Sequence, residues 1–122
     1  MRVARRVNAA VAWLCGAIIM VPPVHFRYEH HHHHSFTNLP GRDPELIPMP
    51  RSLREYLWYL SGIPYWWGGW GGILRRSAGR LNAEELAFLP RAERGKVVAE
   101  ARILALLYAA VLAGMLAGWT AP

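Results

Sequence analysis

Apolar and polar residues alternate in blocks along this chain, and each block predicts an element. Residues 7–21 read VNAAVAWLCGAIIMV, with no charge and a single amide, Asn8. A helix needs about 20 apolar residues to cross the hydrocarbon core of a bilayer. This run is shorter and stops at Pro22-Pro23, so it predicts a half-inserted or interfacial helix. Residues 26–50 are polar and carry a histidine run. Pro40, Gly41, Pro44, Pro48 and Pro50 exclude a long helix after the histidines, because proline lacks the backbone donor and clashes with the preceding turn.

Residues 52–80 open on Ser52-Leu53-Arg54-Glu55, a capping-box pattern in which the first and last side chains satisfy free amides at a helix start. Gly62 and Pro64 split this stretch into two helical pieces. Tyr56, Trp58, Tyr59, Tyr65, Trp66, Trp67 and Trp70 crowd together here, and Arg75, Arg76 and Arg80 come next. Flat apolar rings with polar tips favour headgroup depth. An aromatic protein core is the alternative. A short helix is predicted from Asn82, with Glu85 three residues on. Pro90 opens the last helix, which begins polar and becomes uncharged from Ile103 to Trp119. Residues 97–119 are long enough to cross a membrane if Glu100 and Arg102 stay near its surface. Gly114 and Gly118 there are either a small-xxx-small contact pair or chance in an Ala/Gly-rich stretch. The fold class expected is all-α: a helical integral membrane protein fragment with interfacial helices and one C-terminal transmembrane helix.

Composition sharpens the picture. Hydrophobic residues make up 53% of the 122 and charged residues 18%, more apolar than an ordinary soluble domain. The formal charge is +6, and 13 of the 14 basic residues are Arg. These flank apolar segments and form no stripe, which fits an anionic membrane surface and not a nucleic-acid partner. Cys15 is the only cysteine, which excludes an internal disulfide and a cysteine-based zinc site. Arg2, Arg5 and Arg6 before an apolar run resemble a signal peptide, but no small-residue cleavage site comes after them.

Residues 26–38, FRYEHHHHHSFTN, hold the candidate chemistry. The five consecutive histidines read as a tag, a loose metal-binding tract or a built site. On a helix, His30, His33 and His34 share one face as i, i+3 and i+4, while His31 and His32 point elsewhere. Neutral imidazole suits iron, copper, nickel and zinc alike. Three ligands leave a coordination position open, as catalysis needs.

The surroundings of HxxHH resemble the membrane fatty acid desaturase family, the histidine-box enzymes. Phe26, Arg27, His30, His33, His34, Thr37, Pro40, Asp43, Pro44 and Glu45 match a setting of its second box, F-R-x-x-H-x-x-H-H-x-x-T-x-x-P-x-x-D-P-E. RRVNAAVAWLCG before it and LWYLSGIPYWWG after it are similar to the family's adjoining stretches, so the likeness covers nearly the whole chain. The resemblance implies a cytosolic di-iron centre held by histidine, in which iron activates dioxygen and removes hydrogen from a lipid acyl chain. It implies an electron donor such as a ferredoxin or cytochrome b5 with its reductase, and a location in a membrane, here a bacterial inner membrane with the histidines on the cytoplasmic side. Relatives hydroxylate or ketolate carotenoids and other lipids. His30, His33 and His34 are then metal ligands. Asp43 and Arg42 are candidates to orient them, since bound imidazoles hand their second N–H to a carboxylate or carbonyl. Gly-Arg-Asp-Pro is equally a plain surface turn. Glu29 either does the same or balances charge.

Two features depart from the family pattern. No histidine precedes His25 and none comes after His34, so the first and third boxes are missing. Residues 1–122 are therefore expected to be a partial desaturase-like domain that desaturates nothing alone, or one half of a two-piece enzyme. Because boxes one and two serve the same iron pair, residues 7–21 are expected to dip into the bilayer or lie flat. The competing classes are a small membrane protein that buffers nickel, zinc or copper, and a membrane fragment with no catalytic role.

Overall fold

Met20 is the pivot of the N-terminal half. In the computed structural model, which describes residues 2–119, helix α1 (Arg2–Ile19) ends there and helix α2 (Pro23–Phe36) leaves at an angle of 86°. Met20 takes the left-handed conformation, φ 59°, and Val21 N–H donates to Gly16 C=O at 3.0 Å. That is the six-to-one bond of a Schellman cap, formed here without glycine at the left-handed position. Packing holds Met20 in place: it is 2% exposed, against Ile73 and Leu104. Two tyrosines complete the corner. Tyr65 donates its hydroxyl to Ile19 C=O and Tyr108 to Ala17 C=O, both at 2.7 Å. They satisfy carbonyls that a helix end leaves without partners.

Pro23 suits the first turn of α2, where its missing N–H costs nothing. The next amide, Val24 N–H, donates 2.8 Å to the Glu100 carboxylate of helix α6 (Arg91–Trp119). The start of α2 is thus capped by a side chain 76 residues away, which no local pattern specifies.

The aromatic stretch forms helix α3 (Leu53–Leu60) and helix α4 (Ile63–Ser77), with Gly62 between them at φ 71°. Glu55 N–H donates to Ser52 Oγ, but the Glu55 carboxylate accepts from Arg51 N–H at 2.7 Å. The expected capping box is thus half formed, with its return bond shifted by one residue. The box at the start of helix α5 (Ala83–Phe88) is complete between Asn82 and Glu85. Helix α4 packs along α6, α2 also packs on α6, and two small cores result. Met20, Ile73 and Leu104 form one; Val24, Leu89 and Val97 form the other.

The architecture is all-helical, with no strand among the described residues. Residues 91–118 of α6 are long and apolar enough to cross a membrane. Only 11% of the apolar window is buried, so this helix is not the covered core of a soluble bundle. At 1.5 Å per residue it exceeds the hydrocarbon thickness of about 30 Å, which leaves its polar first turns outside. Helix α1 alone is not such a span; joined to α2 through the elbow it passes only as a bent pair. Trp58, Trp66 and Trp67 are exposed, Trp67 at 81%, so the aromatic stretch is not a protein core within this chain.

Candidate metal centre

Helix α2 divides its circumference among three surroundings. Val24 and Tyr28 pack toward Leu89 and Val97. His25 and His32 meet Phe88 of α5. Phe26, His30, His33 and His34 take the remaining side, where the loop after the helix folds back. His31 is exposed, and its carbonyl accepts from Ser35 Oγ. His32 tilts against Phe36 with centroids 4.6 Å apart. The helical repeat that separates the box rings from His31 and His32 is purely geometric.

Loop 37–45 brings carboxylates to the box. Asn38 turns the chain at φ 60°, and Gly41 does so again at φ 76°. Asp43 then closes the loop on itself. Its Oδ2 accepts from Asn38 N–H at 2.8 Å and its Oδ1 from Glu45 N–H at 2.9 Å. The same Oδ1 stands 2.7 Å from His33 Nδ1. Glu45 Oε1 stands 2.9 Å from His30 Nδ1. Two box imidazoles therefore carry a carboxylate on Nδ1, and with Nδ1 donating to it Nε2 is left as the ligating nitrogen; Glu45 Oε2 also lies 4.0 Å from His33 Nε2.

Electrostatics reflect these contacts. Burial pushes the Asp43 carboxyl up, but His33 and the two backbone amides outweigh it and hold it below the ordinary carboxylate range. The Asp43 hydrogen bond raises His33. Asp43 is 7% exposed, so its charge is held by donors and not by water.

The rings on this face touch one another. Phe26 stacks on His30 with centroids 5.2 Å apart and an interplanar angle of 14°. His30 Nε2 and His34 Nε2 are 3.1 Å apart. Two imidazole nitrogens bound to one metal at about 2.1 Å, at a right angle, stand about 3 Å apart. The His30–His34 pair has that spacing, which is also that of the N–H···N hydrogen bond joining the two rings. His33 lies beside them, with ring centroids 5.8 Å from His30 and 5.5 Å from His34. Among the described residues, no three His, Cys, Asp or Glu side chains close on one point. The box side of α2 thus presents two imidazoles in contact and a third nearby, which is not by itself a closed three-donor set.

Asp43 is brought to a box ring. Arg42 instead places its guanidinium carbon 3.7 Å over the Phe36 ring, and the Glu29 carboxylate faces His25 at 3.4 Å. Sequence reasoning does not single out Glu45 as a partner of the box, although it belongs to the Asp-Pro-Glu of the motif. It also passes over His25, which is 1% exposed, and Glu85, which is 2% exposed. Glu85 accepts from Arg75 Nη1 and Nη2, from Arg76 Nε at 2.6 Å and from Asn82 N–H at 2.7 Å. The local signals are the His25–Glu29 spacing of one helical turn and the Asn82–Glu85 cap.

The family model described as Fatty acid desaturase matches residues 1–122. No curated protein and no solved structure matches the chain. A family match over every residue, on a chain that is all-helical in its described residues with one helix long and apolar enough to cross a membrane, places this protein in the fatty acid desaturase family.

Proposed function

We propose that this chain contributes the second histidine box of a di-iron, oxygen-dependent enzyme acting on lipid acyl chains. The observation that carries the reading is the pair of Nδ1–carboxylate contacts, His30–Glu45 and His33–Asp43, beside the 3.1 Å approach of His30 Nε2 to His34 Nε2. His30, His33 and His34 would hold the iron. Asp43 and Glu45 keep each tautomer and ring angle. Bound iron supplies the activation of dioxygen and the cleavage of an unactivated C–H bond. The ligands of this chain are one share of the centre, and the remaining ligands come from other segments. Electrons reach the centre from a ferredoxin or cytochrome b5 with its reductase.

The topology suits this role. A bend of 86° between α1 and α2 lets the chain approach the bilayer and return to the face it left. Arg75, Arg76, Arg80, Arg91 and Arg94 precede the span on α6. Basic residues mark the cytoplasmic side, which supports the reading that the box faces the cytoplasm.

Metal titration tests the reading. The chain in lipid bilayers is expected to bind Co2+ as an iron surrogate, and His30→Ala and His34→Ala are each expected to abolish binding. Binding that survives both substitutions refutes it. A second reading, loose Ni2+ or Zn2+ capture by the histidine run, is favoured by the absence of a closed three-donor group among the described residues. It requires His31→Ala to weaken binding as much as His30→Ala does.

A further inference from the structure

His25 is the buried group that the metal reading leaves unused. Among the described residues, its Nδ1 and Nε2 are the buried side-chain nitrogens that lack an aligned hydrogen-bond partner. Both still face anions. Nδ1 lies 3.4 Å from Glu29 Oε2 and Nε2 lies 3.3 Å from Glu85 Oε1. Phe88 closes the ring in, edge to face, at 5.3 Å. A neutral imidazole has one donor and one acceptor nitrogen, so it would aim a lone pair at one carboxylate. The imidazolium has two donors and matches both. A buried cation is tolerated where it is paired, and here it is paired on two sides.

The pairing joins three helices. Glu29 belongs to α2 and Glu85 to α5, while Arg75 and Arg76 of α4 also grip Glu85, both reaching the Oε1 that faces His25. On the α6 side, Glu100 receives Val24 N–H, and Arg27 of α2 acts on Glu100. His25 thus sits where the box helix meets its support, about 100° around the helix from Phe26. A turn of α2 about its axis swings the box nitrogens; the His25–Glu85 contact to α5 resists that turn, while Glu29, on α2 itself, holds the ring.

We propose that His25, as an imidazolium spanning Glu29 and Glu85, is a positioning residue that sets the rotation of α2 and thereby the aim of His30, His33 and His34. The proposal rests on the metal reading of the box. It needs no redox step and no ligand of its own.

The test uses the full chain in lipid bilayers, with 15N-labelled histidine. The His25 signal, identified by its loss in His25→Phe, is expected to show both ring nitrogens protonated at pH 7. Co2+ affinity is expected to fall about tenfold in His25→Phe, the cost typical of removing a group that orients a ligand. His25→Lys, which restores a cation beside both carboxylates, is expected to return affinity to within about threefold of the parent. A neutral His25 ring at pH 7 overturns the proposal, as does His25→Phe with unchanged Co2+ affinity. Should His25→Phe lose its helicity, the ring spectrum and His25→Lys decide. A parent chain that binds no Co2+ refutes the metal reading instead, and is distinguished because that failure precedes any substitution.

Discussion

Glu45 Oε1 and His30 Nδ1 stand 2.9 Å apart across 15 residues of sequence, so the loop after the box helix reaches back to grip the first ring of the box. The same loop grips His33 through Asp43. The site is therefore one helix and one loop, and its precision depends on the loop's own closure.

Glu45→Gln and Asp43→Asn are expected to lower metal affinity by about 10- to 100-fold each. Asp43→Asn should cost more, because Asp43 also accepts the Asn38 and Glu45 amides. Arg42→Ala should leave affinity within about twofold, since Arg42 stacks on Phe36. Isothermal titration with Co2+ ranks the three. An Arg42→Ala loss as large as that of Asp43→Asn would show that this loop works differently.

Glu85 anchors α5 to α4 and α2. Breaking a buried, multiply bonded ion pair costs about 3–5 kcal/mol, and Glu85→Gln should lower thermal stability accordingly. Burial raises the Glu85 carboxyl, but His25, Arg75, the Asn82 amide and Arg76 together hold it far below its ordinary value of 4.5. Its contribution is therefore complete above pH 4.5 and is lost as pH falls through the lower folded-state value. A melting profile against pH should decline on the acid side in the parent and flatten in Glu85→Gln.

His25 gives the opposite slope. Burial lowers it, but Glu29 and Glu85 outweigh this and raise it above its ordinary 6.5. Its contribution is complete below pH 6.5 and is lost as pH rises through the folded-state value. Stability should thus decline on the alkaline side in the parent and less so in His25→Phe. The groups facing it are Glu29 and Glu85, with Arg75 and Arg76 on Glu85; Glu100 accepts from the neighbouring Val24 N–H and is acted on by Arg27.

The elbow rests on two hydroxyls. Tyr65→Phe and Tyr108→Phe each remove one cap from the end of α1, at about 1 kcal/mol apiece. The double substitution should raise hydrogen exchange at residues 17–21 while leaving α5 unchanged. Equal protection throughout would mean the Schellman turn stands without them.

The membrane path of α1 has its own check. In a Cys15→Ser background, Arg6→Cys and Tyr28→Cys are expected to react with an impermeant thiol reagent from the same face. Labelling from opposite faces would make α1 and α2 a full crossing.

Much of this protein is written locally. Helix ends at Gly62 and Asn82, the proline stops and the apolar length of α6 depend on neighbours within four residues, so the amino-acid order alone specifies them. The spacing of His30, His33 and His34 likewise comes from the helical repeat, and the family resemblance from the motif around it. The tertiary structure decided what lies across sequence distance: that Glu45 and not Glu29 meets the box, that Arg42 turns to Phe36, that Glu100 caps α2, and that the tyrosines of α4 and α6 close α1. Those outcomes depend on where a loop and four helices meet. Local propensity carries no record of such meetings, because a carboxylate's partner is chosen by the packing that excludes water around it.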